Sequence, residues 1–323
     1  MSRWSTLLMD HARLGELGRL PSDQIASHAD QVILTRPSSR SLYRRWEQQQ
    51  WSAEEVVLDR DLSAWKRLPA GVRGRLEKLL INFLVGEYTG LDLLSPLLLA
   101  CPDEDSLVYL GTQLADESRH TRLMQRLATE LLGLPDDLEK ALPAAWEKIT
   151  PAQHELSVIE RDLISRLNTA RPSYVDWIRA VTVFHLVTES VLALHAQRTL
   201  VASLRPGGML PGLRAGFVAM TRDESRHVAY GMQALRQGLV EGQEEAIVDV
   251  LATTLPLAVL VELDKDPSAA EVAQVRLVAG ALKAEGVRRM HQLGISASAQ
   301  EHVVQAMDRA IDGLADAQVR SQS

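Results

Sequence analysis

Aromatic residues are scarce in this 323-residue chain, at 4%, so its 46% hydrophobic content is mostly aliphatic. There is one cysteine, Cys101, which excludes an internal disulfide and fits a reducing compartment. The formal charge is -7 and basic runs are missing, which argues against nucleic acid as a partner. No apolar run has the length of a membrane span: the strongest, "LLSPLLLA" ending at Ala100, is short and interrupted by Pro96. The opening "MSRWSTLLMDHARLGELG" lacks the apolar core and small-residue cleavage site of a signal peptide. These absences together predict a cytoplasmic protein. Also missing is sustained two-residue alternation, which excludes a half-buried sheet and leaves an all-α chain.

What is present is helical periodicity. Apolar residues recur at three- and four-residue spacing over roughly 72–100, 104–133, 173–202 and 210–240, with more helix after 242. Breaks fall at "ACPDED", "LGLPDD" and "RPGGMLPG". These connectors are short, so a single domain over residues 1–323 is expected, with the first 45 residues irregular and "DAQVRSQS" frayed at the C-terminus. Cys101, before Pro102 at a helix end, reads as an inert small hydrophobe.

The pentapeptide DESRH occurs twice, at Asp116 to His120 and at Asp223 to His227. On a helix, Leu110, Leu114, Glu117, His120, Met124 and Leu127 share one stripe; Phe217, Met220, Glu224, His227, Gly231 and Leu235 share another. Each motif thus turns a Glu and a His into the core, while Arg119 and Arg226 point elsewhere. Two more helices carry an acid at mid-length on an apolar stripe, Glu87 among Leu80, Phe83 and Leu94, and Glu189 between His185 and Leu192. The order is acid helix, Glu-x-x-His helix, acid helix, Glu-x-x-His helix. A four-helix bundle binding two metal ions needs one Glu from each of two helices and a Glu-x-x-His pair from each of the other two.

Charge supplies the reason. An isolated carboxylate in a dry interior has an idealised cost on the order of 20 kcal/mol, and several even after relaxation. Two divalent cations offset Glu87, Glu117, Glu189 and Glu224, and neutral His120 and His227 add ligands without charge. Carboxylate and imidazole donors without thiolate suit iron or manganese. A single Glu-x-x-His pair is ordinarily a solvated face; two identical copies alternating with two mid-helix acids are not explained that way. His185, four residues before Glu189, reads as a core histidine or a neighbour of the ligands, and Gly90 and Ala193 are small residues that leave room for a substrate or for close helix packing. Tyr88 and Tyr230 adjoin the pattern and receive no role from spacing.

The stretch "QQQWSAEEVVLDRDLSAWKRLPAGVRGRLEKLLINFLVGE", with "ADESRHTRLM", "VTVFHLVTES" and "TRDESRHVAYGMQ", resembles the ribonucleotide reductase small subunit and the related ligand-binding oxidases over roughly residues 45 to 240. The resemblance implies a ferritin-like four-helix core, at about 75–240, with added N- and C-terminal helices, a homodimer, and a carboxylate-bridged Fe/Fe or Mn/Fe centre that activates dioxygen. It places Glu87, Glu117 and His120 on one metal and Glu189, Glu224 and His227 on the other, with Glu117 and Glu224 bridging. Asp223 matches an acid that orients a ligand histidine, Asp116 its counterpart, and Trp51 a tryptophan near the metals.

Departures from the family narrow the expected activity. Met124 stands where the radical-generating subunit has a tyrosine, and no aromatic residue follows Tyr230 to relay a radical. Gly90 and Phe184 replace the valine and tyrosine that cross-link in the ligand-binding oxidases, and Met220 replaces the additional histidine of p-aminobenzoate N-oxygenases. Acyl-carrier desaturases differ around Trp51. The expectation is an oxidase or oxygenase acting on a small apolar or amphipathic substrate with an external electron donor. A radical-generating reductase subunit and a metal-storage bundle are the alternatives.

Overall fold

The computed structural model describes residues 10, 12–205, 208–265 and 267–320. The N-terminal nine residues, part of the "RPGGMLPG" break and the last three residues of the frayed tail predicted above lie outside them. In chain order the helices are α1 (Leu14–Leu17), α2 (Ser22–Leu34), α3 (Ser39–Gln48), a 3₁₀ turn (Ala53–Glu55), α4 (Asp59–Trp65), α5 (Ala70–Leu99), α6 (Glu104–Glu130), α7 (Leu138–Trp146), α8 (Pro151–Ser165), α9 (Tyr174–Val181), a π-helical stretch (Thr182–Ala193), α10 (Leu194–Ser203), α11 (Pro211–Val240), α12 (Glu244–Ala258), α13 (Ala269–Leu293) and α14 (Ala297–Arg320). The described residues contain no strand. The chain is all-α, as its periodicity predicts, with the ferritin-like fold that the resemblance implies.

Two readings need correction. The segment expected to be irregular forms α2 and α3, which bury Ile25, Ala29, Val32, Ile33 and Leu42; their apolar positions are too few to stand out against polar neighbours. Helix α5 runs through Pro96 to Leu99, as the periodicity over 72–100 predicts. The continuous helical stretch Tyr174–Ser203 is long and apolar enough to cross a membrane, with mean hydropathy 1.4. Its most apolar window is 78% buried within the protein, the behaviour of a core helix.

Two compact units divide the chain. The first comprises Met1–Leu98, Asp103–Ile149 and Ala196–Tyr230; the second comprises Leu99–Pro102, Thr150–His195 and Gly231–Ser323. In the first, α5, α6 and α11 supply a core of Leu80, Leu84, Leu94, Leu110, Leu123, Leu127, Phe217 and Val218, all fully buried. Phe83 meets Phe217 edge to face at 5.0 Å. The start of α11 is fixed by Asp61 of α4, whose carboxylate accepts from the backbone N–H groups of Gly212 (3.1 Å) and Leu213 (2.6 Å), satisfying donors that a helix leaves unpaired. Arg214 then anchors the N-terminal segment by donating to the carbonyls of Gly18 and Leu20.

Gly212 sits where no side chain fits. A Cβ there would lie 2.2 Å from the Val57 carbonyl oxygen and 3.1 Å from Asp61 Oδ2. Gly212→Ala is expected to destabilise the fold by about 1–3 kcal/mol, the usual cost of overpacking, and a urea midpoint equal to that of the parent would contradict the crowding.

In the second unit, Leu156, Ile164, Trp177, Ile178, Val181, Ile247, Leu251, Leu255, Leu282 and Met307 are buried. The π-helical stretch is the departure from the plain α-helix that the periodicity predicts. Thr182 Oγ1, at its start, donates to the Ile178 carbonyl at 2.7 Å, a back-bond that bends helices. A Cβ on Gly231 would lie 2.2 Å from His185 Cβ, so glycine is what admits the histidine there.

Candidate metal centre

Three helices of the first unit bring the donors together. Glu87 comes from the middle of α5, Glu117 and His120 from α6, and Glu224 and His227 from α11; each is buried. Ligand atoms of Glu87, Glu117, His120 and Glu224 all lie within 4.8 Å of one another, a group able to hold a metal ion. His120 Nδ1 is 3.3 Å from Glu87 Oε2, 3.6 Å from Glu117 Oε2 and 3.5 Å from Glu224 Oε1. His227 Nδ1 is 3.2 Å from Glu117 Oε1 and 3.4 Å from Glu224 Oε2. Glu117 and Glu224 therefore each direct one oxygen towards either histidine, whereas the recorded His120 contact of Glu87 has no His227 counterpart.

The other ring nitrogens reveal a crossed arrangement. His120 Nε2 lies 3.3 Å from Asp223 Oδ2, and His227 Nε2 lies 3.1 Å from Asp116 Oδ2. Each DESRH copy thus supplies the carboxylate that faces the histidine of the other copy. Trp51 Nε1 donates to Asp223 Oδ2 at 2.6 Å, and Trp46 Nε1 donates to Asp116 Oδ1 at 3.0 Å. Trp51 also stacks on His120 with centroids 6.3 Å apart, and the Arg119 guanidinium lies 5.4 Å over Trp51.

Protons take up the charge that the donors cannot leave bare. Burial raises the Glu87 carboxyl to about 8, helped by Glu224 and Glu117 and opposed by His120. Burial also acts against ionised Glu117, yet the close approach of His120 and His227 overrides it and holds that carboxyl well below its usual range. Burial would lower His120, but Asp223, Glu117, Glu224 and Glu87 together raise it well above the ordinary imidazole value. Asp223 follows the same logic: burial is outweighed by Arg226 and His120, and it stays ionised well below the carboxylate range. A cation among these groups replaces the imidazolium and releases protons.

The donor set fits such a cation on a separate observation. Glu117 Oε1 and Glu224 Oε2 are buried and accept no hydrogen bond, although His227 Nδ1 is nearby. Atoms that crowd together without aligning on one another converge on a shared point instead, which is how ligands are arranged. Hard carboxylate oxygens and imidazole nitrogens suit manganese and iron.

The remaining predicted residues fall as follows. Glu189 belongs to the second unit, is 5% exposed, and has Oε2 4.0 Å from His185 Nε2. His185 is buried and meets Phe184 edge to face at 5.0 Å. Met124 is fully buried on α6, Gly90 is half-buried one turn after Glu87, and Ala193 is half-buried at the end of the π-helical stretch. A cavity of about 240 Å³ is lined by Ile159, Leu163, Arg179, Val250 and Thr253, among others, and by neither Gly90 nor Ala193.

Sequence reasoning overlooked Trp46, Gln49 and Arg222, and it sent Arg226 the wrong way. Arg226 is 1% exposed. Its Nη2 donates to Asp116 Oδ2 at 2.8 Å and to Asp223 Oδ1 at 2.7 Å, and its Nη1 donates to Gln49 Oε1. Arg222, also buried, donates to the Gln49 carbonyl at 2.6 Å. A signal existed, since the arginine recurs at the same place in both copies of DESRH; the stripe through Glu and His merely ignores it, because Arg226 pairs three residues back with an aspartate rather than with a glutamate.

Comparisons with known proteins agree with this geometry. Among solved structures, a point mutant of an R2-like ligand-binding oxidase with an anaerobically reconstituted Mn/Fe cofactor superposes with a TM-score of 0.68 at 17% identity, covering 80% of this chain and 94% of that one. The R2-like ligand-binding oxidase from Sulfolobus acidocaldarius gives 0.62 at 21% identity, covering 78% and 90%. Identities this low carry the fold. The family model for the ribonucleotide reductase small chain matches residues 34–271, well over half of the sequence. The chain belongs to the ribonucleotide reductase small chain family.

Proposed function

We propose that this protein is a dioxygen-activating oxidase or oxygenase that uses two metal ions, Fe/Fe or Mn/Fe, on a small apolar or amphipathic substrate. The observation that carries the reading is the convergence of Glu87, Glu117, His120, Glu224 and His227, with two glutamates each directed at both histidines. Glu189 joins the ligand set by its place in the motif order. The structural neighbours that carry Mn/Fe cofactors support the choice of metals.

When bound, such ions supply the electrons that reduce dioxygen. The protein's own residues set the conditions. Glu117 and Glu224, each with one oxygen directed at either histidine, would hold the ions there, and Glu87 holds a proton near neutral pH until a cation displaces it. Asp223 and Asp116 face the Nε2 atoms of His120 and His227, leaving each Nδ1 aimed at the acids. Burial of every donor excludes bulk water. Gly90, one turn after Glu87 on α5, is small enough to leave room beside that acid for a substrate, and a cytoplasmic homodimer served by an external electron donor completes the reading.

Family membership alone would favour a radical-generating reductase subunit. Buried Met124, where such subunits carry a tyrosine, favours the oxidase instead. The test is elemental analysis of protein produced with iron and manganese available, followed by the optical spectrum of the reduced form after oxygen is admitted. Close to two metals per chain and a new charge-transfer band are expected. Folded protein that takes up neither metal would overturn the proposal, and stable capture of a large reductase subunit would move it to the radical-generating alternative.

A further inference from the structure

Arg226 has no part in binding metal, yet it lies at the centre of the hydrogen bonds behind both histidines. Each histidine presents Nδ1 to the glutamates, so its Nε2 must carry the proton, and that proton needs an acceptor held in place. The acceptors are Asp223 for His120 and Asp116 for His227. Both aspartates are essentially without solvent contact, at 0% and 1% exposed. Two such carboxylates side by side repel each other and are poorly solvated. One nitrogen, Arg226 Nη2, donates to both, at 2.7 and 2.8 Å.

The remaining contacts of the two acids are unequal. Asp116 also receives Trp46 Nε1 at 3.0 Å and faces Arg119 Nη2 at 3.2 Å. Asp223 also receives Trp51 Nε1 at 2.6 Å. Arg226 is the guanidinium that forms an ion pair with Asp223, on which the charge of Arg222 also acts, while Asp116 pairs with both Arg226 and Arg119. Gln49, which accepts from Arg226 through Oε1, fixes the guanidinium from the opposite side.

We propose that Arg226 is a positioning residue shared by the two histidines: by holding Asp116 and Asp223 together it orients His227 and His120 at once and couples the two halves of the metal centre. This rests on the dimetal reading above. Because Asp116 retains Arg119, loss of Arg226 affects the His120 half more than the His227 half.

The experiment is titration of metal-free protein with Mn(II) alone, read by competition with a chelator and by Mn(II) EPR. Wild-type protein is expected to take two ions and give the broadened spectrum of a spin-coupled pair. R226M is expected to lose about 10- to 100-fold in affinity, the usual effect of removing a group that orients a ligand, with the larger loss in the His120 half. Its spectrum should show uncoupled six-line signals at one equivalent. R226K, which restores the charge without the planar fork, should recover part of the affinity. A purely structural arginine would lower the melting temperature and leave affinity and spectrum unchanged, and that result overturns the proposal. Wild-type protein that binds no Mn(II) or iron overturns the dimetal reading instead. Should R226M fail to fold, R226K decides: affinity within twofold of wild type and an unchanged spectrum would overturn the coupling.

Discussion

Glu117→Ala protein is expected to come off a column with almost no metal, while Glu87→Ala protein keeps about one equivalent. The difference follows from where the oxygens point. Glu117 sends Oε2 towards His120 (3.6 Å) and Oε1 towards His227 (3.2 Å), so alanine removes a ligand from both halves. Glu87 approaches His120 at 3.3 Å, and its loss damages that half. Losing an outer partner of a ligand costs 10- to 100-fold in affinity, and losing a bridging ligand costs more. Elemental analysis of the two variants side by side checks this; two full equivalents retained in Glu117→Ala would remove that residue from the ligand set.

The second large effect concerns Glu160 on α8, a residue outside the metal-binding pattern. Its side chain is 4% exposed, and its one recorded hydrogen bond is from Thr188 Oγ1 at 3.0 Å. Burial raises its carboxyl to about 7 from 4.5, against a smaller opposing effect of Thr188. Because the folded form holds its proton more tightly than the unfolded form, folding is favoured most below pH 4.5. Stability falls as the pH rises from there towards 7, by about 3 kcal/mol at 1.36 kcal/mol per unit. Glu160→Gln keeps an acceptor for Thr188 and removes the ionisation. Its unfolding free energy should therefore exceed that of the parent by about this amount at pH 8, and the gap should close at pH 4. A difference that does not change with pH would show that Glu160 is solvated.

How much of this was legible beforehand depends on the kind of interaction. The ligand helices could be read because apolar spacing and the cost of burying an acid act through residues a few positions apart. Glu87, Glu117, His120, Glu224 and His227 are all placed by that logic. Trp46 and Gln49 could not be read so, because their partners at the centre are 70 and 177 residues away in the sequence, whereas Arg226 has one partner, Asp223, only three residues back. The crossed pairing was hidden for the same reason: nothing within either DESRH copy says that its aspartate serves the other copy's histidine. Helices α2 and α3 escaped because they bury few residues, and tertiary contacts such as Arg198 with Asp30 and Trp46 with Asp116 stabilise them more than their own pattern does.

The π-helical stretch changes how its own sequence should be counted. In an α-helix each residue advances by about 100°, so positions five apart diverge by about 140° and are not neighbours. In a π-helix the hydrogen bond joins residue i to i+5, so Phe184 stands one hydrogen-bonded turn before Glu189, although an α-helical wheel sets it aside. Aligning Thr182–Ala193 with an α-helical relative therefore requires a gap that its amino acids do not announce. A substitution chosen by matching position numbers across that gap would land on the wrong face of the helix.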